Sequence, residues 1–228
     1  RDLITTAPLE IIYSGSAELD RVRQALAAAF ATLPREEVRT IADAVPHVCR
    51  ESVQTVEDEM EVTQGKLSMG FSCGSDDMPA LLLGNTLFGG SSNSKLFLNV
   101  REKLSLCYYA SSTYVRSKGI LTVSSGIEAA DYQRALDEIL HQLQEIRDGH
   151  WEPWELEGAR RTVIGGYRAT LDDQGRQEEF WLGQAAAGLD TTIPELTAQF
   201  EEVTREQVSA VARKLELDTV YFLKGKEG

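Results

Sequence analysis

The sequence predicts an α+β fold, a largely antiparallel sheet covered on one side by helices, and three observations carry that expectation. Residues 66–73 alternate strictly, placing Leu67, Met69, Phe71 and Cys73 on one face of a half-buried strand. Residues 107–115 and 120–127, rich in Tyr, Thr, Val and Ser, flank the loop Arg116-Ser117-Lys118-Gly119 and so predict an antiparallel hairpin. An isolated strand at 219–223, after a long run of helices, does not fit serial βαβ units.

The remaining elements follow in chain order. Leu9-Glu10-Ile11-Ile12-Tyr13 reads as a buried strand within residues 9–14. Gly15-Ser16 then opens a helix whose apolar positions Leu19, Val22, Leu26, Ala29, Phe30 and Leu33 recur every three or four residues until Pro34 ends it. Residues 35–52 are polar and irregular, with Pro46 among them, and predict a connection holding at most one helical turn. A strand is expected within 53–63. Gly74-Ser75-Asp76-Asp77 turns into an apolar helix over 78–88, which Gly89-Gly90 breaks before a second helix over 92–104. After the hairpin, Asp131 starts a long amphipathic helix with Leu136, Ile139, Leu140, Leu143 and Ile146 on one face and Gly149 as its stop. Helices over 153–171, 174–188 and 204–214 precede the last strand. No internal repeat or Pro/Ser-rich linker divides the chain, so residues 1–228 are expected to form one domain. The strand-like start so close to residue 1 suggests that the domain is excised from a longer chain.

Composition narrows the function. With 23 basic against 36 acidic residues, the net charge of −13 opposes binding to phosphate backbones and anionic lipid heads, so neither nucleic acid nor membrane is an expected partner. Cys49, Cys73 and Cys107 are odd in number, widely spaced and without a C-x-x-C pair, which predicts reduced, mostly buried thiols and a cytoplasmic setting. No apolar run approaches the roughly 20 residues of a membrane span. His47, His141 and His150 form no H-x-x-E-H or H-x-x-x-H pattern, and His141 with Glu145, four apart on the long helix, reads as solvated surface charge rather than a metal pair. Gly89-Gly90-Ser91-Ser92-Asn93-Ser94-Lys95 could hold an anion at a helix start. It lacks the second glycine and the Ser/Thr of a phosphate-binding loop, so a helix break capped by Ser and Asn is the better reading. Ser92-Asn93-Ser94-Lys95 matches the S-x-x-K spacing of a serine hydrolase, without its companion elements.

The stretch Leu87-Phe88-Gly89-Gly90-Ser91-Ser92-Asn93-Ser94-Lys95-Leu96-Phe97, continued by Arg101-Glu102-Lys103-Leu104-Ser105-Leu106-Cys107-Tyr108, is more specific. It resembles the segment of insulinase-type (pitrilysin) zinc peptidases that reads approximately L-G-G-G-x-x-S-x-L-F-x-x-x-R-E-x-x-G-L-A-Y. The opening strand-Gly-helix unit, the hairpin, the long helix, Glu155-Leu156-Glu157-Gly158-Ala159-Arg160 and the Val203-Thr204-Arg205-Glu206-Gln207-Val208 unit follow that family's C-terminal, zinc-free domain in order.

The resemblance implies the fold of insulinase and mitochondrial-processing-peptidase domains. It also implies that Arg101 and Tyr108 face the zinc site of another domain across an enclosed chamber, binding peptide and stabilising the oxyanion. The residue types suit that work, since guanidinium and phenol are fixed hydrogen-bond donors. A packed Tyr108 and an Arg101 merely paired with a neighbouring carboxylate is the alternative. Ser105 stands where the family prefers Gly, and Cys107 where Ala is usual, so the turn between the two donors is expected to be altered. The zinc-binding H-x-x-E-H is missing. The chain is therefore expected to hold no cofactor, to be inactive alone, and to work with a zinc-bearing half, in the same chain or as a separate subunit forming a heterodimer, on a peptide substrate. A non-catalytic scaffold or peptide-binding subunit of the same fold is the other expectation.

Overall fold

The structure, a computed structural model, describes residues 2–38 and 47–225 and divides into two units, Arg1–Ala44 with Arg168–Thr192 and Val45–Tyr167 with Ile193–Gly228. The larger unit contains a sheet of β1 (Gln54–Met60), β2 (Gly65–Cys73), β3 (Tyr109–Val115), β4 (Ile120–Ile127) and β5 (Leu215–Gly225) in the order β1-β5-β2-β4-β3. β1 runs parallel to β5, and the other pairings are antiparallel. The expected α+β fold is present. The hairpin closes as the sequence predicts: Val115 pairs with Ile120, and Gly119 takes the left-handed φ of 59° that only glycine adopts freely.

Alternation decides which face is covered. Leu67, Met69 and Phe71 of β2, Leu121 and Val123 of β4, and Val220 and Phe222 of β5 are buried. Against the sheet lie α3 (Met78–Phe88), α4 (Tyr132–Asp148) and α8 (Arg205–Arg213), which contribute Leu81, Leu83, Ile139, Leu143, Val208 and Val211 to the core. The opposite face carries small hydroxyl residues, with Ser111, Ser124 and Ser68 in register across β3, β4 and β2 and none of them buried. Helix starts obey local chemistry. The Asp77 carboxylate accepts from the Ala80 N–H at 3.1 Å, and Thr204 with Gln207 forms a reciprocal capping box on α8.

α5 (Pro153–Thr170) crosses from the larger unit into the smaller, which also contains α1 (Asp2–Thr6), α2 (Leu19–Phe30) and α6 (Gln174–Ala186). Several expectations are corrected here. Residues 9–14 form no strand, because their backbone finds no partner strand. The Arg35 guanidinium instead binds the carbonyls of Ile4 (2.5 Å) and Ala7 (2.8 Å) at the end of α1, an element with no sequence signal. α7 (Ile193–Glu202) went unexpected although Ile193, Leu196, Thr197 and Phe200 recur at helical spacing and are buried. Part of the 35–52 connection, residues 39–46, lies outside the described residues. The cysteines are free but half-buried, not buried, and burial pushes the Cys73 thiol up to about 11.

β5 runs longer than the predicted 219–223 because it carries a bulge. Gly70 pairs with Thr219 and Phe71 with Leu217, which leaves Asp218 as the extra residue. Its buried carboxylate accepts from the Thr219 hydroxyl (2.6 Å) and the Arg50 N–H (3.0 Å) and bonds the His47 ring at 3.0 Å. These contacts lay residues 47–50 along the sheet. The hydrogen bonds from Thr219, then His47 and Arg50, hold this carboxyl well below the usual carboxylate range. A depressed acid stabilises the folded state above its ordinary pKa, and the contribution fades as pH falls below about 4. Asp218→Asn is expected to lower the thermal midpoint at neutral pH, with the gap from the parent narrowing in acid. Equal gaps at pH 7 and pH 3, followed by circular dichroism, would contradict the assignment.

Candidate functional site

Gly89 ends α3 where no other residue fits. A Cβ there would sit 2.6 Å from the Ser112 nitrogen and 2.8 Å from Leu96, and the Gly89 carbonyl accepts the Ser112 N–H at 3.0 Å. The chain thus turns against β3 and enters its next helix through Ser94, whose buried hydroxyl accepts from the Phe97 N–H at 3.3 Å. Lys95 is almost fully buried and its Nζ lies 3.1 Å from Glu155 Oε1. That pairing answers the two chemistries considered for this loop. The Lys95 ammonium is matched by a carboxylate, and Ser92 is exposed.

Leu96–Lys103, expected within an α-helix, is a π-helix. Its wider turn buries Leu96 and Val100 on one side and stacks the Arg101 guanidinium over the Phe97 ring, 4.8 Å from its centroid. At its end, Leu106 N–H reaches back to the Val100 carbonyl (3.0 Å) and Ser105 N–H to that of Arg101 (3.1 Å). This closure needs a left-handed residue, and Ser105 supplies it with φ 51°, the one positive φ outside glycine among the described residues. The turn expected to be altered by serine in a glycine position keeps its left-handed closure, with Ser105 carrying the positive φ. Leu106 is buried, which anchors the turn as the chain passes into β3.

Arg101 and Tyr108 emerge at opposite ends of this turn, both reaching solvent. Arg101 lies 3.3 Å from the Glu102 carboxylate, with both side chains about half exposed. Tyr108 is 58% exposed, its N–H bonds the Gly126 carbonyl at 2.8 Å, and its hydroxyl donates to the Glu128 carboxylate. That bond, then the charge of Glu128, pushes the phenol above its ordinary range. The two donors make no direct contact with each other among the described bonds. What links them is Cys107, the residue before Tyr108, whose thiol is pushed up by burial while the Ser125 hydrogen bond and the Arg101 charge pull the other way. Glu128 was missed from sequence, although the hairpin register carried a signal: 115 opposite 120 puts 108 opposite 127.

No three His, Cys, Asp or Glu side chains converge as a metal site among the described residues. His47 is held by Asp218, His150 by Glu145 at 3.4 Å, and His141 is exposed. Among the described residues, none of these arrangements fits a zinc ion.

The family described as "Peptidase M16 inactive domain" matches residues 5–163. The chain belongs to the M16 peptidase family. Among curated M16 relatives it is similar to the "Probable inactive metalloprotease YmfF" of Bacillus subtilis, 37% identical over 226 residues, covering 96% of this chain and 52% of that protein. It is 26% identical to the "Uncharacterized zinc protease YmxG" of the same organism, over 68% of this chain and 39% of that protein. The chain spans about half or less of the length of these relatives. Among solved structures, a conserved protein from Enterococcus faecalis superposes with TM-score 0.82 at 30% identity, covering 90% of this chain and 50% of that one. The M16 inactive domain from Pseudomonas fluorescens superposes with TM-score 0.75 at 19% identity, over 93% and 52% of the two chains, and shows the shared fold.

Three substitutions probe the M16 segment. Ser105→Gly removes the left-handed strain and is expected to raise stability by about 0.5–1 kcal/mol, read from urea midpoints, after the entropy cost of glycine. Lys95→Met leaves the largely covered Glu155 carboxylate without its cation, holding only the Glu152 N–H, at a cost of about 3 kcal/mol, whereas adding Glu155→Leu is expected to recover most of it. A double variant no more stable than Lys95→Met would refute the pairing argument.

Proposed function

We propose that this domain is the zinc-free half of an M16 peptidase, contributing Arg101 and Tyr108 as hydrogen-bond donors to a peptide held against a zinc-bearing half. Zinc in that half supplies the hydrolytic chemistry. The observation that carries the proposal is the turn at Ser105, where a strained residue is kept between two exposed donors. Each donor rests on a nearby carboxylate, Arg101 on Glu102 and Tyr108 on Glu128, so both present an N–H or O–H to anionic oxygen. A peptide carbonyl gaining negative charge during hydrolysis is such an acceptor, and fixed donors stabilise it more than they stabilise the neutral carbonyl. Proton transfer is not assigned to either group, because a guanidinium does not deprotonate and the phenol is pushed further from neutrality.

A second reading keeps peptide binding and drops hydrolysis. YmfF, 37% identical, bears the name of a probable inactive metalloprotease, and by that likeness the partner half could equally lack its metal. The domain would then be a scaffold or peptide-binding subunit using the same donors.

Arg101→Ala and Tyr108→Phe test the donors. In the protein joined to its other half, each is expected to lower kcat for a fluorogenic peptide by on the order of 10- to 100-fold, the range for a lost transition-state donor. Unchanged turnover in both variants removes the donors from the reaction. Zinc content by mass spectrometry decides between the hydrolytic and the scaffold reading.

A further inference from the structure

Leu9-Glu10-Ile11-Ile12-Tyr13 has the composition of a strand buried on both faces, yet Leu9, Ile11 and Tyr13 are 41%, 46% and 43% exposed. Among the described residues, the backbone groups of Leu9–Ile12 have no hydrogen-bond partner. Beyond them, the bonds are a local one from the Ala17 N–H to the Tyr13 hydroxyl (3.0 Å) and one from the Gln174 side chain to the Ser14 carbonyl (2.6 Å). The helix that follows is in the same state. α2 carries Leu19, Val22, Leu26 and Phe30 along one stripe, and none of its residues is buried. A 12-residue helix gains most of its stability from burying such a stripe, and here Leu19 is exposed while Val22, Leu26 and Phe30 are only half-buried.

β5 shows what such a segment does when it has partners. It too follows a short helix directly, α8, and it lies between β1 and β2 with Leu215, Val220 and Phe222 buried. α1, residues 9–14 and α2 have the order of a helix, a central strand and a covering helix, but the five-stranded sheet includes none of them.

We infer that residues 9–14 and α2 are an interaction surface for the other half of the protein: residues 9–14 enter a second sheet as a strand, and that half covers the stripe of α2. The occupant is identified by length and by kind. This chain spans 52% of YmfF and 50% of the Enterococcus faecalis structure, so those proteins carry a second portion of equal size. A sheet domain of that size offers the two things missing here, a strand edge and an apolar floor. The inference rests on the proposed pairing with a zinc-bearing half, but it concerns attachment and not catalysis.

Hydrogen exchange followed by mass spectrometry tests it, comparing this chain alone with the full-length protein. Amides of Glu10–Tyr13 are expected to exchange freely in the chain alone and on the order of 100-fold or more slowly in the full protein, since a paired central strand opens only with its domain. Ile11→Asp with Leu26→Asp is expected to abolish that protection in the full protein while leaving β2 and β4 protected. Fast exchange at 10–13 in the full protein overturns the inference. So does protection that this chain acquires by itself as its concentration rises, because the occupant would then be a second copy. Arg101→Ala and Tyr108→Phe must leave the exchange pattern unchanged, so a failure of the donor assignment remains distinguishable from a failure of the docking surface.

Discussion

The backbone of Gly89 lies so close to that of Ser112 that a methyl group could not enter, and the placement of the candidate site follows from that contact. It fixes the end of α3 against β3, which in turn sets where the π-helix begins. Ser112 reinforces the contact by donating its hydroxyl to the Asn85 side-chain oxygen at 2.7 Å. From there the chain has one short helix and one turn in which to carry Arg101 outward and bring Leu106 back into the core. The Lys95–Glu155 pair ties the start of that helix to α5, so the segment is held from two directions. Because the ends are fixed by backbone contact and a buried ion pair, strain collects between them, at Ser105.

What was legible in the sequence is what depends on local periodicity and side-chain chemistry. The alternation of β2, the hairpin loop ending in Gly119 and the apolar run of α3 between Asp77 and Gly89 state their own boundaries, and the structure reproduces them closely. The failures have a different origin. Residues 9–14 satisfy every local rule for a strand, but a strand is a relation between two segments, and among the described residues the second is missing. The bulge at Asp218 hid half of β5 by placing a carboxylate in the middle of an apolar pattern. No residue in 96–103 announces a π-helix. Its i to i+5 bonds follow from how the two ends are held, which periodicity does not encode.

The candidate site shows the same division. Arg101 and Tyr108 were singled out through the family resemblance, and Ser105 was marked as departing from a glycine position, where the structure gives it φ 51°. Their carboxylate partners come from tertiary geometry, since Glu128 reaches Tyr108 only once the hairpin is closed. Both side chains rest against a carboxylate, Tyr108 through a hydrogen bond to Glu128 and Arg101 through an ion pair with Glu102.

β1 is exposed along all seven of its residues and forms one edge of the sheet. An open edge is a template onto which any extended chain can add, and this one carries Glu57, Asp58 and Glu59 in succession. The first and last are shared with Lys224, and Asp58 accepts from the Tyr221 hydroxyl. The acidic excess of the chain thus has a local meaning at this strand: it is a guard against self-association.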